Sequence, residues 1–345
     1  MIKTKIYSTI GPACYQTENL IKMIEKGMDG IRINLSHGNL PIYEKWIRNI
    51  KEAEIKTNKK IPILADIQGP EIRTGLLKEK EINLQKGNEI ILSTGQKLGS
   101  KGKIFINWPE DKYITDLRNV FEKGQKILID DGIIKLEIIS IEEKELKCQV
   151  LRGDILGERK GVNIPGVTLS LPSLTEKDKL DLKTGIKLGI DYIMLPFTRN
   201  ADDIKNIKKY LSSLNSENIG VFAKIENQEG IDNFESFIDL IEGVVIARGD
   251  LGVEIGLTRV PMVQKELIKL CAKYQKESIV VTHMLHSMIN SPLPTRAEIS
   301  DIANAVLDGC SSVMLTGETA IGKYPVESIE IMYKTISDTE KWKTE

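Results

Sequence analysis

The chain has 345 residues, 41% of them hydrophobic and 28% charged, a composition that excludes a disordered, collagen-like or disulfide-scaffold chain. Forty-eight Lys and Arg face 49 Asp and Glu, so there is no basic excess and no nucleic-acid partner is expected. No apolar run reaches the ~18–20 residues of a membrane span. Met1 to Lys5 also lead straight into a strand-like segment without a signal-peptide pattern, so a cytoplasmic protein with no membrane partner is expected.

The length suggests roughly two domains, or one large barrel carrying an insertion. No internal repeat is visible, but short β-branched runs alternate with longer amphipathic stretches. The predicted strands are Thr4–Ile10, Gly30–Leu35, Ile61–Ile67, Asp191–Pro196, Val221–Ile225, Val244–Ala247, Ile279–Thr282 and Ser312–Leu315. Helical stretches between them include Glu18–Lys26, Ile42–Thr57, Ala201–Leu214, Asn233–Leu240, Pro261–Gln275 and Thr295–Asp308. Eight βα units predict a closed (β/α)8 TIM barrel, an α/β fold whose active site lies at the strand C-termini. One interval breaks the rhythm. After the third strand, residues 70–167 read as a small inserted β-barrel domain, with segments such as Glu89–Leu92, Ile127–Ile129, Ile133–Ile139 and Lys147–Leu151 between Gly and Asp turns. Residues 1–69 and 168–345 are then assigned to the catalytic barrel. An insertion in a βα loop suits a lid.

Cys14, Cys148, Cys271 and Cys310 are widely spaced and form no Cys-x-x-Cys pair, which predicts reduced, mostly buried thiols. With only three histidines, His37, His283 and His286, chemistry must rest mainly on Lys, Arg, Asp, Glu and Thr. The predicted strand ends carry these residues. After the second strand, Arg32, Asn34 and Ser36 alternate and point into the barrel mouth. An inward Arg needs an anionic partner, either a neighbouring carboxylate or a phosphate or carboxylate ligand. Asp66, Gln68, Glu71 and Arg73 follow the third strand, and Lys224 and Glu226 share one face at the fifth. Asp250 follows the sixth. Glu226 and Asp250 are each open to a salt bridge, or together to magnesium as hard oxygen ligands. His283 and His286 are three apart, but two ligands without a third are weak evidence for a metal. Gly317 to Tyr324 nearly reads as a P-loop, except that Tyr324 stands where Ser or Thr would hold magnesium.

Taken together, these stretches resemble the pyruvate kinase family. The matching segments are Ser8-Thr9-Ile10-Gly11-Pro12-Ala13, Arg32-Ile33-Asn34-Leu35-Ser36-His37-Gly38, Gly69-Pro70-Glu71-Ile72-Arg73-Thr74-Gly75, Lys160-Gly161-Val162-Asn163-Ile164-Pro165-Gly166, Lys224-Ile225-Glu226-Asn227, Ala247-Arg248-Gly249-Asp250-Leu251-Gly252, Pro294-Thr295-Arg296-Ala297-Glu298 and Gly317-Glu318-Thr319-Ala320. They occur in family order along nearly the whole chain.

The resemblance implies glycolytic phosphoryl transfer from phosphoenolpyruvate to ADP, giving pyruvate and ATP. It implies that Arg32 and Lys224 grip the phosphoryl group, with Lys224 also stabilising the transition state and the enolate. Glu226 and Asp250 would hold magnesium (or manganese). Asn34, Ser36, Asp66 and the Ile67 carbonyl would hold potassium, a need that goes with an acidic residue at Glu71. Thr282 would assist protonation of the enolate carbon, and the backbone at Arg248, Gly249 and Asp250 would receive the substrate carboxylate. Arg73 and Lys160 would meet the ADP phosphates, with Pro12 and His37 flanking the adenine.

The chain departs from the family pattern at several positions. Gln68 stands where Lys is usual, Pro196 where Ser is, His283 where Gln is, His286 where Glu is and Leu293 where Arg is. Family members usually continue into a C-terminal domain. This chain is expected to lack it, together with its effector site and one subunit interface, which leaves a homodimer through the barrel helices open. Two other readings use the same residues: a magnesium-dependent lyase or aldolase acting on an enolpyruvate, and phosphotransfer from phosphoenolpyruvate to another acceptor. Arg73 and Lys160 favour the kinase, because an aldolase needs no ADP site.

Overall fold

The computed structural model describes residues 2–36, 40–107, 116–167, 169 and 171–344. It divides into two compact units. The first comprises Met1–Gly69, Glu176–Gly249 and Thr258–Glu345, and the second Pro70–Thr175 with Asp250–Leu257.

The first unit is a closed parallel barrel of β1 (Lys5–Thr9), β2 (Gly30–Asn34), β3 (Ile63–Asp66), β4 (Tyr192–Leu195), β5 (Gly220–Ile225), β6 (Gly243–Ala247), β7 (Glu277–Val281) and β8 (Ser312–Met314). Each strand pairs with its neighbour in sequence, and β8 closes on β1 through Lys5↔Ser312 and Tyr7↔Met314. Alternate side chains fill the interior: Tyr7, Leu64, Met194, Phe222, Val245 and Ile279 are buried together. The large rings fit because the facing positions are glycine. A Cβ on Gly30 would lie 2.3 Å from the Tyr7 ring, and one on Gly243 would lie 2.5 Å from the Phe222 ring. The eight strands thus fall where the β-branched runs predict them.

The helices differ more from expectation. Glu176–Leu188 forms a helix before β4, although its sequence shows no strong apolar stripe. It buries only Asp178, Leu182 and Gly185. The expected helix Asn233–Leu240 is broken into Gln228–Asp232, Phe234–Phe237 and a 3-10 turn at Ile238–Leu240. Asn227 caps the first piece, its side chain accepting from Gly230 N at 2.7 Å and so starting the helix early. Among the described residues no helix is long and apolar enough to cross a membrane. The four cysteines are buried and unbridged, and burial pushes each thiol up to about 12.

The second unit holds a seven-stranded sheet and a two-stranded one. Its core is aliphatic, with Ile90, Leu92, Ile104, Ile127, Leu136 and Val150 buried. The edge strands Arg73–Thr74 and Val162–Asn163 meet through the Arg73↔Gly161 bridge. Val162 N donates to Ile72 O and Thr74 N to Lys160 O, each at 2.8 Å. The sheet therefore curls back on itself and leaves no open edge at that seam.

At the barrel's N-terminal end, the last helix, Pro325–Thr344, is fastened to the first strand. Glu340 accepts from Lys3 N (2.8 Å), Thr4 N (2.8 Å) and Thr4 Oγ1 (2.9 Å). Burial opposes its charge, but these hydrogen bonds outweigh burial and hold the carboxyl below its ordinary range. A lowered carboxyl stabilises the fold above its ordinary pKa, and the contribution is lost as pH falls through the lowered value. Glu340→Ala is expected to cost about 1–2 kcal/mol at neutral pH. In denaturant titrations the cost should shrink below about pH 4; an equal cost at both pH values would contradict the assignment.

Candidate active site

Four charged side chains meet at the C-terminal ends of β2, β3 and β5. Arg32 lies on β2 and Asp66 ends β3, in register with Asn34. Lys224 lies on β5, and Glu226 follows two residues later on the same face. Arg32 Nη2 is 2.6 Å and Nε 2.8 Å from Asp66 Oδ2. Lys224 Nζ is 3.3 Å from Asp66 Oδ1 and 2.9 Å from Glu226 Oε1. Asp66 is the neighbouring carboxylate that the inward Arg32 required. Arg32 Nη1 also donates to Thr9 Oγ1 at 3.1 Å, so Thr9, inward on β1, joins the site. The alternation of Tyr7 and Thr9 along β1 carries that signal.

Both carboxylates are buried, and two cations balance them. Burial alone would raise the Asp66 pKa, but Lys224 and Arg32 outweigh it and hold the carboxyl below the usual range. Glu226 Oε2 accepts the Phe197 amide at 2.9 Å. Its Oε1, like Asp66 Oδ1, faces the Lys224 ammonium. These are buried hard oxygens with lone pairs left over, the donor chemistry that suits a divalent cation or potassium. The turn that orients Glu226 is tight. Phe197 has φ +50 and Gly69 has φ +68, and a Cβ on Gly69 would lie 2.5 Å from Pro196 Cγ. The contribution of the Phe197 amide has no signature in sequence.

The remaining expected residues fall into three groups. On the barrel, Ile67 is buried, and Asn34 Oδ1 accepts from Ser36 N at 3.0 Å, so the Asn34 amide oxygen shapes its own turn. Pro12 is exposed, between Gly11, which packs on the Ala320 backbone, and Ala13, whose amide donates to Ala320 O at 3.0 Å. His37 lies outside the described residues.

The second group spans β6 and β7. The helix Arg248–Ile255 starts directly after β6. Thr282 sits close to Gly249, where an added Cβ would come 3.2 Å from Thr282 Cγ2. His283 and His286 are exposed, with their rings edge to face at 4.5 Å. Among the described residues no group of three or more His, Cys, Asp or Glu side chains gathers as a metal site.

The third group lies in the second unit. Arg73 pairs with Glu71 at 2.6 Å and donates to Arg159 O at 2.7 Å. Lys160 Nζ lies 3.0 Å from Asp130. Thr74 and Lys160 exchange hydrogen bonds through Thr74 N, Thr74 Oγ1 and the Lys160 backbone. The seam of the sheet therefore brings Arg73 and Lys160 close in the backbone. Asp250, in the first turn of its helix, also belongs to this unit.

A family model for the pyruvate kinase barrel domain matches residues 1–329. The chain belongs to the pyruvate kinase family. It is 43% identical over 341 residues to the pyruvate kinase of Geobacillus stearothermophilus, covering 98% of this chain and 57% of that protein. It is 43% identical over 343 residues to that of Bacillus licheniformis, covering 99% and 58%. It is 45% identical over 334 residues to that of Staphylococcus aureus strain MRSA252, covering 96% and 56%. The chain thus spans a little over half the length of these pyruvate kinases.

Within this pyruvate kinase barrel, two residues of the matching segments, Glu318 and Glu298, have no role assigned from sequence. Glu318, buried on the turn after β8, accepts from Leu285 N (3.1 Å) and Thr316 N (2.8 Å). Glu298 accepts from Ser287 N (2.7 Å) and Ser287 Oγ (2.6 Å). Both brace the loop after β7. An acid inside the Gly317–Gly322 turn is the sequence feature that points to such a role for Glu318.

Asp66 is the carboxylate that both site cations share. Asp66→Asn leaves Arg32 and Lys224 with one partner fewer and is expected to cost about 3 kcal/mol, read as a lower urea midpoint. The contribution should be present above about pH 4 and disappear as pH falls through the lowered pKa. A midpoint within error of the unmutated chain at pH 7 would show that the cluster does not hold the mouth together.

Proposed function

We propose that this chain transfers a phosphoryl group from phosphoenolpyruvate to ADP, producing pyruvate and ATP. The observation that carries this reading is the Arg32–Asp66–Lys224–Glu226 cluster at the barrel mouth. It joins two cations able to take a phosphoryl group to two carboxylates with spare oxygen lone pairs. In the reaction the bond between phosphorus and the enol oxygen breaks, and a terminal β-phosphate oxygen of ADP forms the new one. The enolate left behind takes a proton at its methylene carbon to become pyruvate.

Arg32 and Lys224 hold the phosphoryl group, and Lys224 balances the charge that builds on the leaving enolate oxygen. Thr282 lies beside the enolate carbon and assists its protonation. Gly249, Asp250 and their backbone take the carboxylate. Arg73 and Lys160 take the ADP phosphates, with Pro12 and His37 flanking the adenine. Pyruvate kinases generally use a divalent metal and potassium. Here Glu226 and Asp250 would hold magnesium or manganese, and Asn34, Ser36, Asp66 and the Ile67 carbonyl would hold potassium. Bound metal ions supply positive charge to the transferring group. The partners proposed are these small molecules alone, with a cytoplasmic setting and a homodimer through the barrel helices.

A coupled assay with phosphoenolpyruvate, ADP, magnesium and potassium tests the reading directly. Lys224→Met is expected to lose about 10²–10³-fold or more in kcat with its melting transition intact; near-normal turnover would sink the assignment. The potassium site has its own test. In buffer with tetramethylammonium as the only monovalent cation, adding potassium should raise the rate by about tenfold or more. Glu71→Lys should largely abolish that response, because the lysine supplies the charge instead. The Glu71–Arg73 ion pair, 2.6 Å long, offers the opposing explanation, in which Glu71 serves only Arg73 and activity ignores the ion.

A further inference from the structure

We propose that Arg248 is a positioning residue for Thr282, a role that rests on the phosphoryl-transfer reading above. The observation behind it is a strained strand end. Thr282 has φ +80 and His283 φ +56, two consecutive non-glycine residues in the left-handed region. A β-branched residue there is a genuine outlier and persists only where its surroundings over-determine it.

The Arg248 guanidinium supplies that determination. Nη2 donates to Thr282 O at 2.6 Å, and Nε reaches Thr282 O and Val281 O at 3.2 Å each. Behind the loop, Nη1 donates to Asp301 Oδ1 at 2.8 Å and to Gln264 Oε1 at 3.4 Å. Nη2 also contacts Met284 Sδ at 2.9 Å. Every N–H of the planar fork is thus directed at the β7 end or at the helices that back it. None is left for a substrate anion, so this arginine acts through the backbone and not on the phosphoryl group.

The adjoining Gly249 works from the other side. A Cβ there would lie 3.2 Å from Thr282 Cγ2, so a larger residue would press the Thr282 side chain out of place by a few tenths of an ångström. Arg248 and Gly249 together fix one hydroxyl. That hydroxyl makes no hydrogen bond to any other described residue, which leaves it available to the substrate. In the proposed step the Thr282 hydroxyl gives its proton to the methylene carbon of the enolate as it takes one from water. The C=C electron pair takes the first proton, and the enolate oxygen becomes the ketone. The second proton, relayed from bulk solvent (hydronium or buffer acid) through that water, leaves the hydroxyl and the water unchanged, so the net proton comes from solvent. A shift of the carbonyl by a fraction of an ångström moves the hydroxyl off that line.

The test uses the full chain with magnesium and potassium. Two rates are read: coupled phosphoryl transfer, and exchange of pyruvate methyl hydrogens with deuterium oxide in the presence of ATP, which reports the reverse of the protonation step. Arg248→Lys keeps the charge but loses the fork. It is expected to lower kcat and the exchange rate by about 10–100-fold, with KM for phosphoenolpyruvate changed less than about threefold. Asp301→Asn loosens Arg248 from behind and should give a smaller loss of the same kind; it carries the test if Arg248→Lys fails to fold. The deciding measurement is the double variant. Added to Thr282→Ala, either substitution should cost almost nothing further, because a residue that acts through Thr282 has nothing left to position. Multiplied losses, or a loss that falls on KM, would overturn the positioning role while leaving the reaction standing. An unmutated chain that neither transfers phosphoryl groups nor exchanges protons would overturn the assigned reaction and this role with it.

Discussion

Charge balance inside the mouth of a closed barrel is the constraint on which the rest of the site depends. An arginine and a lysine directed inward cannot be left without anions, and Asp66 answers both, at 2.6 Å from Arg32 and 3.3 Å from Lys224. Its position follows from the strand register: Asp66 stands opposite Asn34 on β2 and Met194 on β4, between the strand that carries Arg32 and the strands leading to Lys224. Moving β3 by one residue would turn Asp66 outward and strand two buried cations. Glycine–aromatic packing fits two other strand pairs together, Tyr7 of β1 against Gly30 of β2 and Phe222 of β5 against Gly243 of β6.

Strain gathers at the same rim. Phe197, Thr282 and His283 all have positive φ, and each lies where a strand turns sharply into its loop. At two of them a polar contact fixes the backbone: the Phe197 amide is held by Glu226 and the Thr282 carbonyl by Arg248. A barrel supplies rigid strand ends, and short turns secured by side-chain hydrogen bonds convert them into aimed groups. Glu298 and Glu318 extend that bracing through the loop after β7.

What the sequence makes legible follows from what has a period. Buried parallel strands are continuous β-branched runs, so all eight are readable, and the interval without helices between Pro70 and Val167 stands out. Helices betray themselves through an apolar stripe, and Glu176–Leu188 has too little of one because it buries only Asp178, Leu182 and Gly185. The charged cluster was readable residue by residue, since Arg32, Asp66, Lys224 and Glu226 alternate at strand ends. Their mutual pairing was not, because it depends on contacts across three strands. Nor does any sequence pattern announce the Phe197 amide, the Arg248 clamp or the seam that joins Arg73 to Lys160. These arise from backbone torsions and from sheet closure, which composition and spacing do not encode.

The balance of the cluster also gives a physical reason why the proposed reaction would call on metal ions. At rest, Arg32 and Lys224 are matched by Asp66 and Glu226, so the mouth is close to neutral. Phosphoenolpyruvate would bring in roughly three negative charges, which such a site cannot bury without added cations. To grip the phosphoryl group as proposed, Lys224 would relax its hold on Glu226, and Arg32 would share its fork between Asp66 and the substrate. Each carboxylate then loses part of its compensation at the moment the substrate arrives. Glu226 Oε1 and Asp66 Oδ1, which face the Lys224 ammonium, are the atoms on which that deficit would fall, and a cation at each would restore the balance. On the proposed reading, the charge that bound cations would offset falls on the same four side chains that pair at the barrel mouth.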